Sequence, residues 1–154
     1  MSRLIALIYV IFLSLSGIIL FPTASFAESS NLGLIDSHLS SCPASPNCVV
    51  SQNADEKHAI EPIPYHVERD KAKQTLLQVL TVVPRTEVIE ETDNYIHALS
   101  KSRIFKFIDD VEFYFPADEN VIHIRSASRV GESDLGVNRR RMEQIRLAMQ
   151  DLNI

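Results

Sequence analysis

The stretch DVEFYFPADENVIHIRSA, residues 110–127, decides the fold. Val111, Phe113 and Phe115 alternate with Asp110, Glu112 and Tyr114, the two-residue period of a strand with one buried and one wet face. Pro116-Ala117-Asp118-Glu119-Asn120 supplies turn chemistry, and Val121–Ala127 reads as the returning strand. Setting Phe113 opposite Ile124 puts Glu112 opposite Arg125 and Tyr114 opposite His123. A cross-strand ion pair of that kind contributes roughly a few tenths of a kcal/mol and helps set the register.

Upstream, residues 86–91 (TEVIEE) and 95–102 (YIHALSKS) read as two more strands around the turn Thr92-Asp93-Asn94. The next run, Arg103-Ile104-Phe105-Lys106-Phe107-Ile108, reads as an extension or bulge of the second or third strand. From Glu68 to Val83 the period changes. Ala72, Leu76, Val79, Leu80 and Val83 share one face of an amphipathic helix, Glu68 and Asp70 suit its positive end, and Pro84 stops it. A second helix is predicted from Ser133 or Asp134, a natural N-cap, to Leu152. Its inner face would be Leu135, Asn138, Met142, Ile145, Met149 and Leu152, with Arg140 and Glu143 outward. Ile60–Tyr65, held extended by Pro62 and Pro64, is a short edge strand. The expected fold class is α+β: a four- to five-stranded antiparallel sheet with two helices on one face, in the order β-α-β-β-β-β-α.

The N-terminus reads as an address. Arg3 precedes an uncharged apolar run from Leu4 to Phe21, Pro22 breaks it, and Ser25-Phe26-Ala27 forms a small-residue cleavage site, the three-part pattern of a signal peptide over residues 1–27. The run is long enough to span a bilayer, so an uncleaved membrane anchor is the alternative. Leu39-Ser40-Ser41-Cys42 has the form of a lipoprotein box but stands well past the apolar run it should abut. Residues 28–57 form a polar arm and 58–154 the α+β domain, long enough for one core. The net charge of −5 argues against non-specific binding to nucleic acid or to an anionic membrane and leaves membrane contact to an uncleaved N-terminal segment.

Both cysteines lie in CPASPNC, residues 42–48. In an exported chain Cys42 and Cys48 are most simply a disulfide. The spacing is not the C-x-x-C of a redox motif. A metal site built from Cys42, Cys48 and His58 would lack the tight spacing such sites use, and no metal or other cofactor is expected.

Candidate chemistry gathers in residues 124–141, where a strand runs through a serine-containing loop into a helix start. The N–H groups there favour anions, and Arg125, Arg129 and Arg139 could add bidentate contacts, with Ser126, Ser128 and Asn138 beside them. The competing reading is that the arginines pair with Asp109, Asp110 and Glu112. Asp109 or Asp110 with His123 is the weak catalytic candidate, since an imidazole and a carboxylate can do acid–base work. Adjacent strand residues point to opposite faces, however, so a surface location for the aspartates is the plainer expectation. Histidines 58, 66, 97 and 123 read as surface or sheet-face residues. Ser51, Ser126 and Ser128 have no identifiable base partner, and no G-x-S-x-G, Walker loop or H-E-x-x-H is present.

Five blocks together resemble one family: Cys42–Val49, Ile60-Glu61-Pro62, Asp109–Phe113, Ile122–Arg129 and Ser133–Arg139. They are similar to the signature blocks of the domain of unknown function 1499 family, over residues 39–150. The family pattern has serine after Cys-Val, where this chain has Val50-Ser51. The resemblance implies a bacterial or plastid protein, exported or membrane-attached, with no assigned activity; periplasm, thylakoid lumen and extracellular space are the compartments that fit. The expectation is a non-enzymatic binding or interaction module for a small anionic ligand or a protein partner. A hydrolase or isomerase using Asp109 or Asp110 with His123, and an assembly role at the membrane surface, are the alternatives.

Overall fold

The computed structural model describes residues 32–154. The apolar run, the cleavage site and the first part of the arm lie outside the described residues. In chain order the elements are β1 (Leu34–Ile35), β2 (His38–Leu39), β3 (Cys48–Val50), β4 (Ile63–Pro64), α1 (Arg69–Val82), β5 (Thr86–Glu91), β6 (Tyr95–Lys101), β7 (Ile108–Tyr114), β8 (Val121–Ser128) and α2 (Val137–Asp151).

The fold is α+β, and its sheet is larger than expected. Six strands join it in the order β3-β8-β7-β6-β5, with β4 also pairing with β8. The β7–β8 register is the one the alternation implies: Phe113 faces Ile124, Glu112 faces Arg125 and Tyr114 faces His123. One face carries the core, where Ile96, Ala98, Val111, Phe113, Ile122 and Ile124 pack against Leu76 and Leu80 of α1 and Met142, Ile145 and Met149 of α2. Both helices lie on that face because each presents a single apolar stripe.

The opposite face differs from expectation. Asp110, Glu112 and Tyr114 are buried instead of wet. The arm accounts for this: β1 and β2 form a small hairpin, and Leu39 packs with Val50, Tyr95 and Tyr114 over that side of the sheet. The arm is joined to the domain through β3, whose Cys48, Val49 and Val50 pair with Ala127, Ser126 and Arg125 of β8. Cys42 and Cys48 form a disulfide, which closes the loop leading into β3.

Two local expectations change. The second helix begins at Val137, because Leu135 and Gly136 adopt left-handed φ of 54° and 74° that no α-helix accommodates. Leu135 therefore stands outside the helix and is exposed, and Leu152 past its end is exposed too. Asp134 still serves the helix start, accepting the N–H of Gly136 at 2.9 Å and of Asn138 at 2.7 Å. Residues 103–107 belong to neither strand: they turn the chain between β6 and β7.

Candidate functional site

The strand period divides the polar residues of β7 and β8 between two faces. Asp109, Ser126 and Ser128 point toward α2, where Asn138 and Arg141 meet them. Asn138 Oδ1 accepts from Ser126 Oγ at 2.6 Å and from Arg141 Nη1 at 2.7 Å. Its Nδ2 donates to Asn47 O at 2.9 Å and to Ser128 Oγ at 3.0 Å. Asp109 accepts from Ser128 Oγ and from Arg141 Nη2, both at 2.6 Å. Asn47, inside the disulfide loop, also donates from Nδ2 to Gly131 O at 2.5 Å. The cysteine loop is thus one wall of this cluster, and α2 is the other.

On the opposite face Glu112 and Arg125 form an ion pair with both side chains fully buried, Nη1 donating to Oε2 at 2.6 Å. Tyr95 OH and the Gly33 N–H donate to Glu112 Oε1 at 2.7 and 2.8 Å. The pair is therefore an interior feature and not the exposed cross-strand pair its register suggests. Arg125 Nε and Nη2 have no hydrogen-bond partner among the described residues. Burial, reinforced by the neighbouring Glu112 carboxylate, pushes the Tyr95 phenol well above its ordinary range.

Asp110 shares that face. His97 Nε2 donates to its Oδ1 at 2.8 Å, and Arg129 adds a bidentate clamp, Nε to Oδ2 at 2.9 Å and Nη2 to Oδ1 at 2.8 Å. Burial works to raise the Asp110 pKa, but the bonds from His97 and Arg129 outweigh it and hold the carboxyl below its ordinary value. Both aspartates are buried, which corrects the expectation of a surface location: each has a cation to itself, so burial leaves neither unpaired.

His123 meets neither aspartate. Its Nδ1 lies 3.2 Å from Ser51 Oγ, which accepts the Ile124 N–H at 2.9 Å, and its ring stacks on Tyr114 at 6.3 Å. Burial lowers its pKa, partly offset by Glu119 and assisted by His38. Arg139 stands apart, donating to Ala59 O at 2.6 Å and Lys57 O at 3.0 Å.

The residues expected to take an anion are consequently dispersed. Ser126, Ser128 and Asn138 come together around Asp109, Arg125 and Arg129 lie across the sheet, and Arg139 binds backbone. Sequence reasoning missed Arg141, Tyr95, His97 and Asn47 as members of these clusters. Arg141 was within reach, since it stands three positions after Asn138 and so shares its helix face. The Ser51–His123 contact depends on the placement of β3, which no periodicity announces.

Two shallow recesses lie elsewhere. One of about 330 Å³ runs between Gly33 of the arm and Thr92, Asn94 and Tyr95. One of about 270 Å³ is bordered by Arg85, Thr86, Glu87, Leu99, Lys101 and Lys106. Among the described residues no group of three or more His, Cys, Asp or Glu is placed to hold a metal. With Cys42 and Cys48 joined, neither is a thiolate ligand. Among the described residues, no helix is long and apolar enough to cross a membrane.

A family model described as "Protein of unknown function (DUF1499)" matches residues 38–149. No curated protein matches the chain.

Proposed function

This chain belongs to the DUF1499 family of proteins of unknown function, and we propose that it is an exported, non-enzymatic interaction domain whose conspicuous polar residues are scaffold. One observation carries this reading: Asp109, Asp110 and Glu112 are each neutralised from within, by Arg141, Arg129 and Arg125. A carboxylate held by a short charge-assisted bond to a guanidinium is a poor proton acceptor, and the two unpartnered nitrogens of Arg125 are buried out of reach of solvent. A small anion arriving from solvent meets Arg129, whose side chain is 42% exposed, and not Arg125. Partner contacts then fall on the exterior of the domain. Export is supported by the disulfide, which persists in oxidising compartments, and by the signal-like residues 1–27.

Native mass spectrometry of the chain purified from an oxidising compartment tests this. The expected result is a polypeptide with the mass deficit of one disulfide and no stoichiometric small molecule. A stoichiometric organic anion that disappears in Arg129→Ala would return the function to the arginines and contradict the scaffold reading.

A second reading rests on Ser51 Oγ, 3.2 Å from Nδ1 of His123. Because Ser51 Oγ accepts the Ile124 N–H, its own proton is available to the imidazole, as in a nucleophilic serine–histidine pair. Burial, which lowers the His123 pKa, favours the basic form of its imidazole. Covalent labelling of Ser51 by a fluorophosphonate, lost in His123→Gln, would favour a hydrolase; an unlabelled Ser51 leaves the pair as a structural tie between the arm and β8.

A further inference from the structure

The turn joining β6 to β7 carries KSRIFKF, residues 101–107, with three cations, three large apolar side chains and no carboxylate. Ser102 closes it twice: its N–H donates to Phe107 O and its Oγ accepts the Phe107 N–H, each at 2.9 Å. Residues 103–106 are thereby held outward as one preformed turn, with Lys106 in the left-handed region at φ 58°. Ile104 is 76% exposed, Phe105 73% and Phe107 49%, and the two phenyl rings stack at 5.5 Å. Apolar groups clustered in water at this density mark a contact surface.

Charge indicates the occupant. The chain as a whole carries a net charge of −5, yet Lys101 and Lys106 gather here with Arg85, whose Nε donates to Lys101 O at 3.0 Å, and the three cations outnumber the neighbouring Glu87. Ile104 and Phe105 stand exposed at the end of the turn, beside the shallow recess that Lys101 and Lys106 border. Protruding aromatic and aliphatic side chains flanked by long basic ones suit the boundary between phosphate headgroups and acyl chains, where the stems bury and the charged ends stay at the phosphates.

We propose that the 101–107 tip inserts into the surface of an anionic lipid bilayer. Ile104, Phe105 and Phe107 enter the acyl boundary, and Lys101, Arg103 and Lys106 pair with headgroup phosphates. This names the partner of the interaction domain proposed above and rests on that reading. It requires nothing of the N-terminal apolar run.

The chain contains no tryptophan, so Phe105→Trp places a single reporter on the tip of the full-length protein. With phosphatidylglycerol vesicles its emission should shift to the blue and be quenched by brominated acyl chains. Leu147→Trp, exposed on α2, should show neither effect. Adding Arg103→Glu and Lys106→Glu to Phe105→Trp should lower partitioning by roughly tenfold or more. Unchanged Phe105→Trp emission overturns the proposal even if the chain sediments with vesicles, since other residues then carry the binding. An equal response to phosphatidylcholine overturns the anionic preference. A blue shift that grows with protein concentration without lipid also overturns it, assigning the tip to a second copy. All of these leave the mass-spectrometric and Ser51-labelling results untouched, so the interaction-domain reading and its lipid partner fail separately.

Discussion

Asp109 and Asp110 are consecutive residues whose carboxylates lie on opposite faces of the sheet. Asp109 is bound by Arg141 of α2 at 2.6 Å, and Asp110 by Arg129 at 2.8 Å. A shift of one residue in β7 would put Val111 in the place of Asp110, stranding Arg129, or Ile108 in the place of Asp109, stranding Arg141. The pair thus fixes the sheet register from both sides, in addition to the hydrophobic alternation. One face of this arrangement ties α2 and the cysteine loop to β8; the other is sealed by the arm.

Asn138 is the hinge of the helix-side cluster, with four hydrogen bonds from one buried amide. Asn138→Ala should destabilise the protein by about 2–3 kcal/mol, because several buried groups lose partners at once. Urea unfolding measures the loss. Amide exchange should also quicken at Ser128, whose N–H donates to Asn47 O.

The buried Glu112–Arg125 pair should behave differently from a surface pair. Arg125→Met leaves Glu112 with Tyr95 and Gly33 as donors but no cation, for a loss of about 3–5 kcal/mol. Combining Arg125→Met with Glu112→Gln should recover much of that loss, since Arg125 already has two unpartnered N–H-bearing nitrogens. Chemical denaturation of the two single variants and the double variant checks it; a double variant as unstable as the sum of the singles would contradict it.

The pH dependence has two separable parts. Asp110 has a folded pKa below its unfolded value of about 4, so its stabilisation is present above that pH and is lost as pH falls through the folded value. Its flanking charges are Arg129 and His97. His123, faced by Glu119 and His38, also titrates lower in the fold. The unfolded chain takes up that proton first, so stability should begin to fall as pH drops below about 6.5. His123→Gln should flatten the upper part of the thermal-melt profile, and Asp110→Asn the acid part.

Loss of the disulfide should loosen the arm and spare the meander. The chain-entropy estimate for so short a loop is about 2 kcal/mol, and Pro43 and Pro46 already restrict the unfolded loop and reduce it. In Cys42→Ser with Cys48→Ser, limited proteolysis should cut within residues 40–47 while β5 to β8 stay protected.

Much of the architecture was readable because it rests on local pattern. The alternation through Val111, Phe113 and Phe115 set a strand and, with Ile124, its register, and the Ala72–Val83 stripe set α1. The apolar stripe alone starts the second helix too early, because Leu135 fits it, while the left-handed φ of Leu135 depends on the turn through Gly136. The strand β3 carries no sequence signal, because Cys48-Val49-Val50 is short and buried throughout, which leaves no alternation to read. Without β3 the covering of the second face is not legible either, nor is the burial of Asp110 and Glu112 that follows from it. The three carboxylates and Arg125 and Arg129 stood out as polar residues with a shared purpose; their partition between two faces followed only from the arm and α2 being in position.

On the function proposed above, the polar cluster holds the fold together and does no chemistry of its own. Asp109→Asn probes this role, because it removes one charge without changing the shape and leaves Arg141 buried without its carboxylate. The expected result is an unfolding free energy lower by about 3 kcal/mol in urea at neutral pH. Unchanged or increased stability would contradict it, since residues kept for function are often held at a cost to the fold.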